Sequence, residues 1–495
     1  MTMLNFNSGY LAPGVYVQAV STPTPSIASL SADVICVVGP AQGWLTSTDV
    51  FMLSASVPKT LSQAGIVEAS IVVTDATGAI QAADLYTIVQ TGSGVSIVTT
   101  IELAAGSTMT TTQAYYITYQ YTNLNYYTPQ WFTSQQTLFN TFGQPFTAGG
   151  GIASPISLAG MLVLQRSSLV VIMPTTDTGG VATRTGLSGA YTAMEAIGGI
   201  DLIVPLPVGM PGTVGTPGDI ANVASDLAAF CAAQSAAGMG NNVNGILGFE
   251  TGVTVAPDTV AASTANQRVV LAWPNSYGYY NSQAQQTLNV GGYYVAATLA
   301  GILSSQPVNL GLTRKVIGGF AGIPNNVLMT MTQPYKNQLS AAGVCVIEPA
   351  PGTGALWVRH GTTTDPTNTV TREFSLVRCG DAILQEFQST YNQAGIIGDP
   401  VTSNILDIIT SLATAALEYL MAQNIIAGYT SPSVVQDPNS PDVVNVTFGY
   451  SPEYPLNIIN VQYSISTTTG TITPATSGGN ASATSAYSGS ALASA

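Results

Sequence analysis

The chain has 495 residues, of which 46% are apolar and only 7% are Asp, Glu, Lys or Arg, against about 25% charged residues in ordinary globular proteins. That length allows roughly three domains of about 150 residues and a core that needs no disulfide or metal ion. A net charge of −14 with 10 basic residues argues against nucleic-acid contact, which requires clustered Lys and Arg, while so weakly charged a surface favours self-association.

The N-terminal region is uncharged up to Asp33 and lacks the basic and apolar segments of a signal peptide. Residues 14–20 form an apolar segment after Pro13, which is typical of a strand. We predict an extended arm over residues 1–24. Residues 25–52 are then expected to be the first part of an α/β body, with a strand at 34–38.

Residues 53–122 are predicted to form an all-β module. Short apolar segments alternate there with turn signals at 75–78 and 92–94. The last segment places Tyr115, Ile117, Tyr119 and Tyr121 on one face of a strand. Short strands at such spacing indicate a small sandwich or barrel, inserted into the α/β body.

From residue 123 to residue 354, helical periodicity alternates with short apolar strands. This alternation predicts an α/β body with a mixed sheet that is covered on both faces by helices. The uncharged apolar segment 291–303 is shorter than the ~20 residues of a membrane span, so we predict a buried helix. The predicted helices are 156–166, 186–197 and 219–234, and the predicted strands are 169–172, 202–204, 245–248 and 268–272.

Residues 355–466 are predicted to form a C-terminal domain that ends in a strand. It contains a strand at 356–359, a helix at 375–391 and an amphipathic helix that begins near Ile405. In the closing segment 458–465, apolar residues alternate with polar ones, which predicts a strand. Residues 467–495 are rich in Ser, Thr, Gly and Ala and are interpreted as a low-complexity tail.

No segment of the sequence matches a known cofactor or metal site. The four cysteines have no metal-binding spacing and are predicted to be buried free thiols. The motif Arg359-His360-Gly361-Thr362 resembles the phosphohistidine motif of histidine phosphatases, but His360 is the only histidine, and such chemistry commonly uses a second one. We therefore predict no catalytic residue, no cofactor and no enzyme activity. The cysteines are Cys36, Cys231, Cys345 and Cys379.

Several short motifs, in order along the chain, resemble the contractile tail sheath protein family. The segment 10–17 (YLAPGVYV) is similar to the family's entry motif, and 115–129 resembles the exit of its inserted domain. Residues 132–134 and 142–143 resemble the return into the body. Residues 356–364 (LWVRHGTTT) resemble a V-x-R-G-x-T-T segment, interrupted by His360, and 442–465 resembles the closing strands.

The resemblance implies a structural subunit of a contractile phage tail. It would stack as hexameric rings in a helix around the tail tube protein, between baseplate and tail terminator proteins, and contract to drive the tube through the host envelope for genome delivery. It implies a virion component assembled in the host cytoplasm, without direct membrane insertion. A bacterial contractile injection system or tailocin is the alternative within this class, and a surface adhesin or surface-layer protein is the alternative outside it.

The uncharged strands near both chain ends are the candidate assembly sites. Unpaired strands are prone to pair with other chains, and the resemblance implies that each is added to a neighbouring subunit's sheet. Backbone hydrogen bonds, at about 0.5–1.5 kcal/mol each, barely offset the cost of ordering the strand, so apolar side chains must be buried too. Completion of the subunit's own sheet is the alternative. The residues proposed for donation are Val15, Tyr16, Val17 and Gln18 in the N-terminal arm and Ile459, Val461, Tyr463 and Ile465 in the C-terminal arm.

Three of the ten basic residues, Arg359, Arg372 and Arg378, fall within 20 positions. In an acidic protein such a cluster fits an acidic partner, which for a sheath would be the tube. The alternative is that these arginines pair locally with Asp365, Glu373 or Asp381.

Overall fold

The computed structural model describes most of the chain but leaves out the predicted N-terminal arm. It divides the chain into two units, the first ending at Pro455 and the second beginning at Leu456. The residues described are 33–41, 45–54, 57–66, 68–92, 97–121, 126–147, 149–175, 183–206, 218–236, 241–253, 255–457, 459, 463–465 and 472–474.

The strands among these residues are, in chain order, β1 (Ile35–Pro40), β2 (Leu45–Phe51), β3 (Lys59–Ala64), β4 (Val72–Thr74), β5 (Tyr86–Thr91), β6 (Val98–Leu103), β7 (Tyr115–Tyr121), β8 (Gln130–Phe132), β9 (Val170–Thr175), β10 (Leu202–Pro205), β11 (Asn244–Gly248), β12 (Val269–Trp273), β13 (Ser276–Asn281), β14 (Gln286–Gly291), β15 (Val316–Ile317), β16 (Phe320–Gly322), β17 (Val344–Pro349), β18 (Leu356–Val358), β19 (Gly428–Tyr429), β20 (Ser433–Gln436), β21 (Val444–Thr447), β22 (Tyr450–Ser451), β23 (Tyr463–Ile465) and β24 (Ile472–Pro474). The helices are α1 (Gln135–Phe142), α2 (Pro155–Leu164), α3 (Arg184–Met194), α4 (Gly218–Gln234), α5 (Pro257–Thr264), α6 (Gly292–Ser304), α7 (Asn325–Leu328), α8 (Gln333–Ala341), α9 (Thr369–Arg372), α10 (Phe374–Ala394) and α11 (Ser403–Ala422).

A sheet in the order β15-β18-β17-β12-β11-β10-β1-β9-β8 forms the centre of the first unit. The strands from β17 to β9 run parallel, whereas β8, β18 and β15 pair antiparallel at the two edges. The predicted mixed α/β sheet is thereby confirmed. A small antiparallel sheet, β14-β13-β16, follows β12 in the chain.

Helices cover both faces of this sheet, as continuous apolar strands require. In β11 a Cβ at Gly245 would meet Leu227 of α4, whereas a Cβ at Gly248 would lie 2.2 Å from the backbone of Gly292, where α6 begins. Three residues apart, the two glycines face opposite sides of the strand, so each lets one helix approach closely. Helix α6 is buried along its whole length, which confirms the buried helix predicted at 291–303.

The region from residue 45 to residue 121 is all-β. It contains two antiparallel sheets, β2-β7-β4 and β3-β6-β5, which share one apolar cluster that includes Ile101, Tyr115 and Ile117. The predicted boundary at residue 53 is wrong, because β2 pairs along its whole length with β7. Residues 45–51 therefore belong to the β-region and not to the first part of the body.

A second correction concerns the boundary predicted at residue 355. Strand β18 lies in the central sheet, paired with β17, and Thr364 donates its backbone N–H to Val269 O in β12. The separate C-terminal core involves α10, α11, β19 and β21, where Cys379, Leu417 and Leu420 are buried. The sequence pattern indicated that a new domain begins near residue 355. Strand β18 instead forms an antiparallel hairpin with β17, so residues 355–364 belong to the body.

The second unit contains a short hairpin. Strand β23 pairs antiparallel with β24, with Ile465 opposite Ile472. Strand β24 lies inside the segment 467–495 that was interpreted as a low-complexity tail. Ile459 is described outside any strand and is 73% exposed, whereas Val461 lies outside the described residues.

Candidate functional site

The predicted basic cluster is not a surface cluster. Arg378 is only 3% exposed, and its Nη2 donates to Asp33 Oδ2 at 2.5 Å and to the carbonyl of Leu303 at 3.1 Å. Helix α10 therefore carries this side chain into the subunit, out of reach of a partner protein. The prediction of a tube-facing Arg378 is wrong, because the amphipathic helix turns residue 378 inward.

The other two arginines of the predicted cluster are paired within the subunit. Arg359 Nη1 lies 3.1 Å from Glu348 Oε2, and Glu348 also accepts from Lys336 Nζ at 2.6 Å. Arg372 Nε lies 3.6 Å from Glu373 Oε1, which is the local pairing considered as the alternative. Burial alone would raise the pKa of the Glu348 carboxyl, but the hydrogen bond from Lys336 and the two neighbouring positive charges hold it below its ordinary value.

His360 makes a structural contact. Its Nε2 lies 2.7 Å from Oε1 of Glu373, whose side chain is 3% exposed. The neighbouring Thr362 is fully buried. The contact joins the two ends of the segment between β18 and α10, which gives the histidine a structural role.

A buried ionic junction lies where the body sheet meets α10. Asp381 accepts from Arg268 Nη2 at 2.8 Å and Nη1 at 2.9 Å, and from Asn244 Nδ2 at 2.8 Å. Two further carboxylates, Asp33 and Asp201, line the same small polar cavity. Because β1, β10, β11 and β12 run parallel, the residues at their N-terminal ends lie side by side at one end of the sheet. Helix α10 contacts the sheet there. The sequence gives no signal for this junction, since Asp381 lies 113 positions from Arg268 and 137 from Asn244.

Burial affects the ionisation of two carboxyl groups of the junction. It raises the pKa of Asp201 to about 6, while the backbone N–H of Val34, at 2.8 Å, acts in the opposite direction. Burial also raises the pKa of Asp33, against the lowering effect of Arg378. Nε and Nη1 of Arg378 have no hydrogen-bond partner among the described residues. The junction links the body sheet to α10 through buried ionic hydrogen bonds. Its cavity is too small for an organic substrate.

The cysteines match their prediction. All four are buried free thiols, and burial raises the pKa of Cys231 and of Cys345 to about 12. Thiols that stay protonated are poor nucleophiles and poor metal ligands. Among the described residues, no three His, Cys, Asp or Glu side chains converge in a way that could hold a metal ion.

Four basic residues lack a carboxylate partner in the part of the chain that the structure describes: Lys59, Arg166, Arg314 and Lys315. Arg166, Arg314 and Lys315 occur near β15, at one edge of the central sheet. The three arginines of the predicted basic cluster, by contrast, are close in sequence but paired. The sequence does contain an indication that Arg314 and Lys315 lack a local partner, because no acidic residue lies near them in the sequence.

Among the described residues, three sheets of the C-terminal half contain only two strands each. Strands β20 and β21 pair through four residues each, and neither pairs with a third described strand. Val434, Val444 and Val446 of this pair pack against the cluster that α11 helps to form. Sheets of two strands are marginally stable. The outer edges of β20 and β21 are therefore places where a further strand can pair.

Helix α11 is long and apolar enough to cross a membrane, judged by length and composition in the described chain. Core helices of soluble proteins pass the same test. Here Ile409, Ala413, Ala416, Leu417 and Leu420 face the C-terminal core and are buried.

Comparisons with known proteins identify relatives and structures of similar fold. No family model matches the chain. It is 32% identical over 365 residues to the tail sheath protein of Mycobacterium phage Bxz1, an alignment that covers 72% of this chain and 59% of that protein. The chain thus spans about three fifths of that relative's length.

Two solved structures share the fold across nearly the whole chain. A chain in the cryo-EM structure of the anti-feeding prophage baseplate matches with a TM-score of 0.52 and 13% identity, covering 92% of this chain and 99% of that chain. A chain of the PVC sheath complex, an extracellular contractile injection system in its contracted state, matches with a TM-score of 0.50 and 11% identity, covering 93% and 99%. At these identities the likeness shows the fold alone. Together with the phage relative, it confirms the predicted resemblance.

Proposed function

We propose that this chain, which is similar to a phage tail sheath protein, is the self-assembling subunit of a contractile tail sheath. Copies would stack as hexameric rings around a tail tube, between baseplate and terminator, and contract to drive the tube through the host envelope. The observation that carries the proposal is the 32% identity over 365 residues to a phage tail sheath protein. A structural role, without catalysis, agrees with the pairing of His360 and the burial of all four thiols.

The phage tail is preferred over a bacterial injection device. The sequence relative belongs to a mycobacteriophage, whereas the injection-system structures share 11–13% identity, which supports only the fold. The subunit would then be a virion tail component, assembled in the host cytoplasm.

The proposed links between subunits are strand additions. In the C-terminal arm, β23 already pairs with β24 through one edge, so it would offer its other edge. Two strands of three residues each are too short to be stable alone, and a third strand from a neighbour would complete them. The N-terminal residues Val15, Tyr16, Val17 and Gln18 would add a strand in the same way, and the open edges of β20 and β21 are suitable acceptors.

Electron microscopy of the purified full chain tests the sheath proposal. We expect sleeves or stacked rings in negative stain, because a weakly charged subunit with open sheet edges associates with itself. Monodisperse globular particles over a wide concentration range would contradict the proposal.

A pair of truncations tests the C-terminal link. A chain ending at Pro455 loses the hairpin and should remain folded but form no polymers, since every described residue of the body and C-terminal clusters precedes Pro455. The matched control ends at Ala475, keeps both strands and should polymerise normally. Normal polymers from the chain ending at Pro455 would rule out strand addition at this end.

A further inference from the structure

A group of unpaired positive charges surrounds the edge strand β15. Arg166 follows α2 and is exposed, and its guanidinium lies over Gly318, where a Cβ would approach Nη2 to 2.5 Å. Arg314 and Lys315 immediately precede β15. None of the three cations forms an ion pair with a described carboxylate. In a chain of net charge −14, three cations without a carboxylate partner in the described part of the chain make the surroundings of β15 distinctly basic.

This surface is held in place and includes an apolar residue. The Arg314 guanidinium carbon lies 4.0 Å from the centre of the Trp357 ring, a cation–π contact that fixes the side chain. Val316 is 55% exposed, and β15 pairs only with β18 among the described strands. We call Arg166, Arg314, Lys315 and Val316 the basic edge.

A surface of opposite charge lies on α11. After Arg378 the sequence contains no Lys or Arg, so every exposed charge there is negative. Asp407 and Glu418 are both exposed, and eleven residues, about three helical turns, place them on one side of α11. Ile408 and Tyr419 beside them are 37% and 40% exposed. We call these four residues the acidic face.

We propose that the basic edge of one subunit binds the acidic face of a second copy of this chain. The inference rests on the proposed self-assembly and names one of its contacts. The charges are complementary, and a partner would cover the exposed apolar side chains of Val316 on one surface and of Ile408 and Tyr419 on the other. Because the two surfaces differ, the contact is head-to-tail and can repeat from subunit to subunit in a ring or helix. An acidic segment of another protein would fit the basic edge by charge alone, but it would leave the apolar residues of the acidic face uncovered.

Charge reversal at the basic edge tests the contact. The full chain with Arg166→Glu and Lys315→Glu is compared with a chain carrying Lys59→Glu and Arg184→Glu, which changes the net charge equally at two basic residues elsewhere. Polymer onset is measured by light scattering and electron microscopy, and folding by circular dichroism. We expect the basic-edge variant to need at least about tenfold more protein, equivalent to about 1.4 kcal/mol, and the control to stay near wild type. Equal loss in both variants, or normal assembly of the basic-edge variant, would overturn the proposal.

A complementary variant identifies the partner surface. A chain with Asp407→Arg and Glu418→Arg should also assemble poorly by itself, and mixing it with the basic-edge variant should restore joint polymers. No recovery on mixing overturns the pairing of these two surfaces. Unchanged self-assembly with lost binding to purified tail tube would assign the basic edge to the tube instead. If the wild-type chain itself forms no polymers, the sheath proposal fails. If the wild-type chain polymerises and these substitutions have no effect on assembly, only the proposed contact fails.

Discussion

The central sheet and the β-region differ in how their strands are buried. Every residue of β1 is buried, whereas β5 alternates between partly buried and exposed residues. The body covers both faces of its sheet with its own helices, so its core is completed within one subunit. The β-region covers one face of each sheet and leaves exposed apolar residues such as Val50 and Val89, at 51% and 46% exposure. Surfaces left over after folding are the ones available for assembly.

Outside the β-region, ion pairs occur both in the interior and at the surface. Around the body, buried pairs such as Arg268–Asp381 and Lys336–Glu348 tie separate elements together. The pair of Arg184 and Asp226, by contrast, lies at the surface. Because only 7% of the residues are charged, the charges that form buried ion pairs leave few for the surface, which remains mostly uncharged.

The largest expected effect comes from breaking the ionic junction. Asp381→Ala removes three hydrogen bonds and leaves Arg268 buried without its partner, so the free energy of unfolding should fall by about 3–5 kcal/mol. Asp226→Ala, which breaks the exposed pair with Arg184, serves as the control and should cost no more than about 1 kcal/mol. Urea unfolding followed by circular dichroism measures both. Similar losses in the two variants would show that burial does not decide the strength of these pairs.

The next effect contrasts the two kinds of strand directly. Ile203→Ala truncates a side chain that is 1% exposed in β10 and should cost about 2–5 kcal/mol through lost burial and the cavity left behind. Val89→Ala, on the exposed face of β5, should stay within about 0.5 kcal/mol. Thermal unfolding of both variants checks the contrast. A large loss at Val89 in the isolated subunit would mean that this face is covered within the subunit.

The raised pKa of Asp201 predicts a dependence of stability on pH. Its folded-state pKa of about 6 exceeds the ordinary 3.8, so the folded state binds more protons than the unfolded chain between these values. Its contribution therefore favours folding as the pH falls from about 6 to about 4, and the charged form destabilises the protein above pH 6. Asp201→Asn keeps an acceptor for the N–H of Val34 and should be more stable than wild type by about 1–3 kcal/mol at pH 8. The difference should shrink towards pH 4 in urea unfolding, and an equal difference at both pH values would contradict the assignment.

The smallest effect on the body is expected from removing the β-region. Replacing residues 45–121 with a short Gly/Ser linker leaves the body core intact, because the apolar cluster of the β-region is separate from it. The unfolding temperature of the body should then change by only a few degrees. The control keeps β2 but deletes 53–122, as the sequence alone would suggest, and should be less soluble, since β2 loses its partner β7. Insoluble protein from the first deletion would show that the β-region is integral to the body.

Local pattern was enough to predict many of the longer buried strands and helices. Continuous apolar segments predicted β9, β10 and β12, and helical periodicity predicted α2, α10 and α11, because burial on a sheet or along one helix face leaves its period in the sequence. The same reasoning located the buried helix α6 and the buried thiols. The motifs that carry the resemblance to sheath proteins were also readable, since they lie in short continuous segments.

Only the tertiary structure decided which charges are free and where the regions end. Arg359, Arg372 and Arg378 are near in sequence, which led to the predicted surface cluster. The local pairing considered as the alternative holds for Arg372 with Glu373, whereas the fold supplies Glu348 and Asp33 as partners of the other two. Strands β2 and β18 were assigned to the wrong regions because a strand's pattern records how it is buried but not which strand it pairs with. Pairing partners and ion pairs join residues up to 345 positions apart, and such long-range contacts leave no periodic trace in a single sequence.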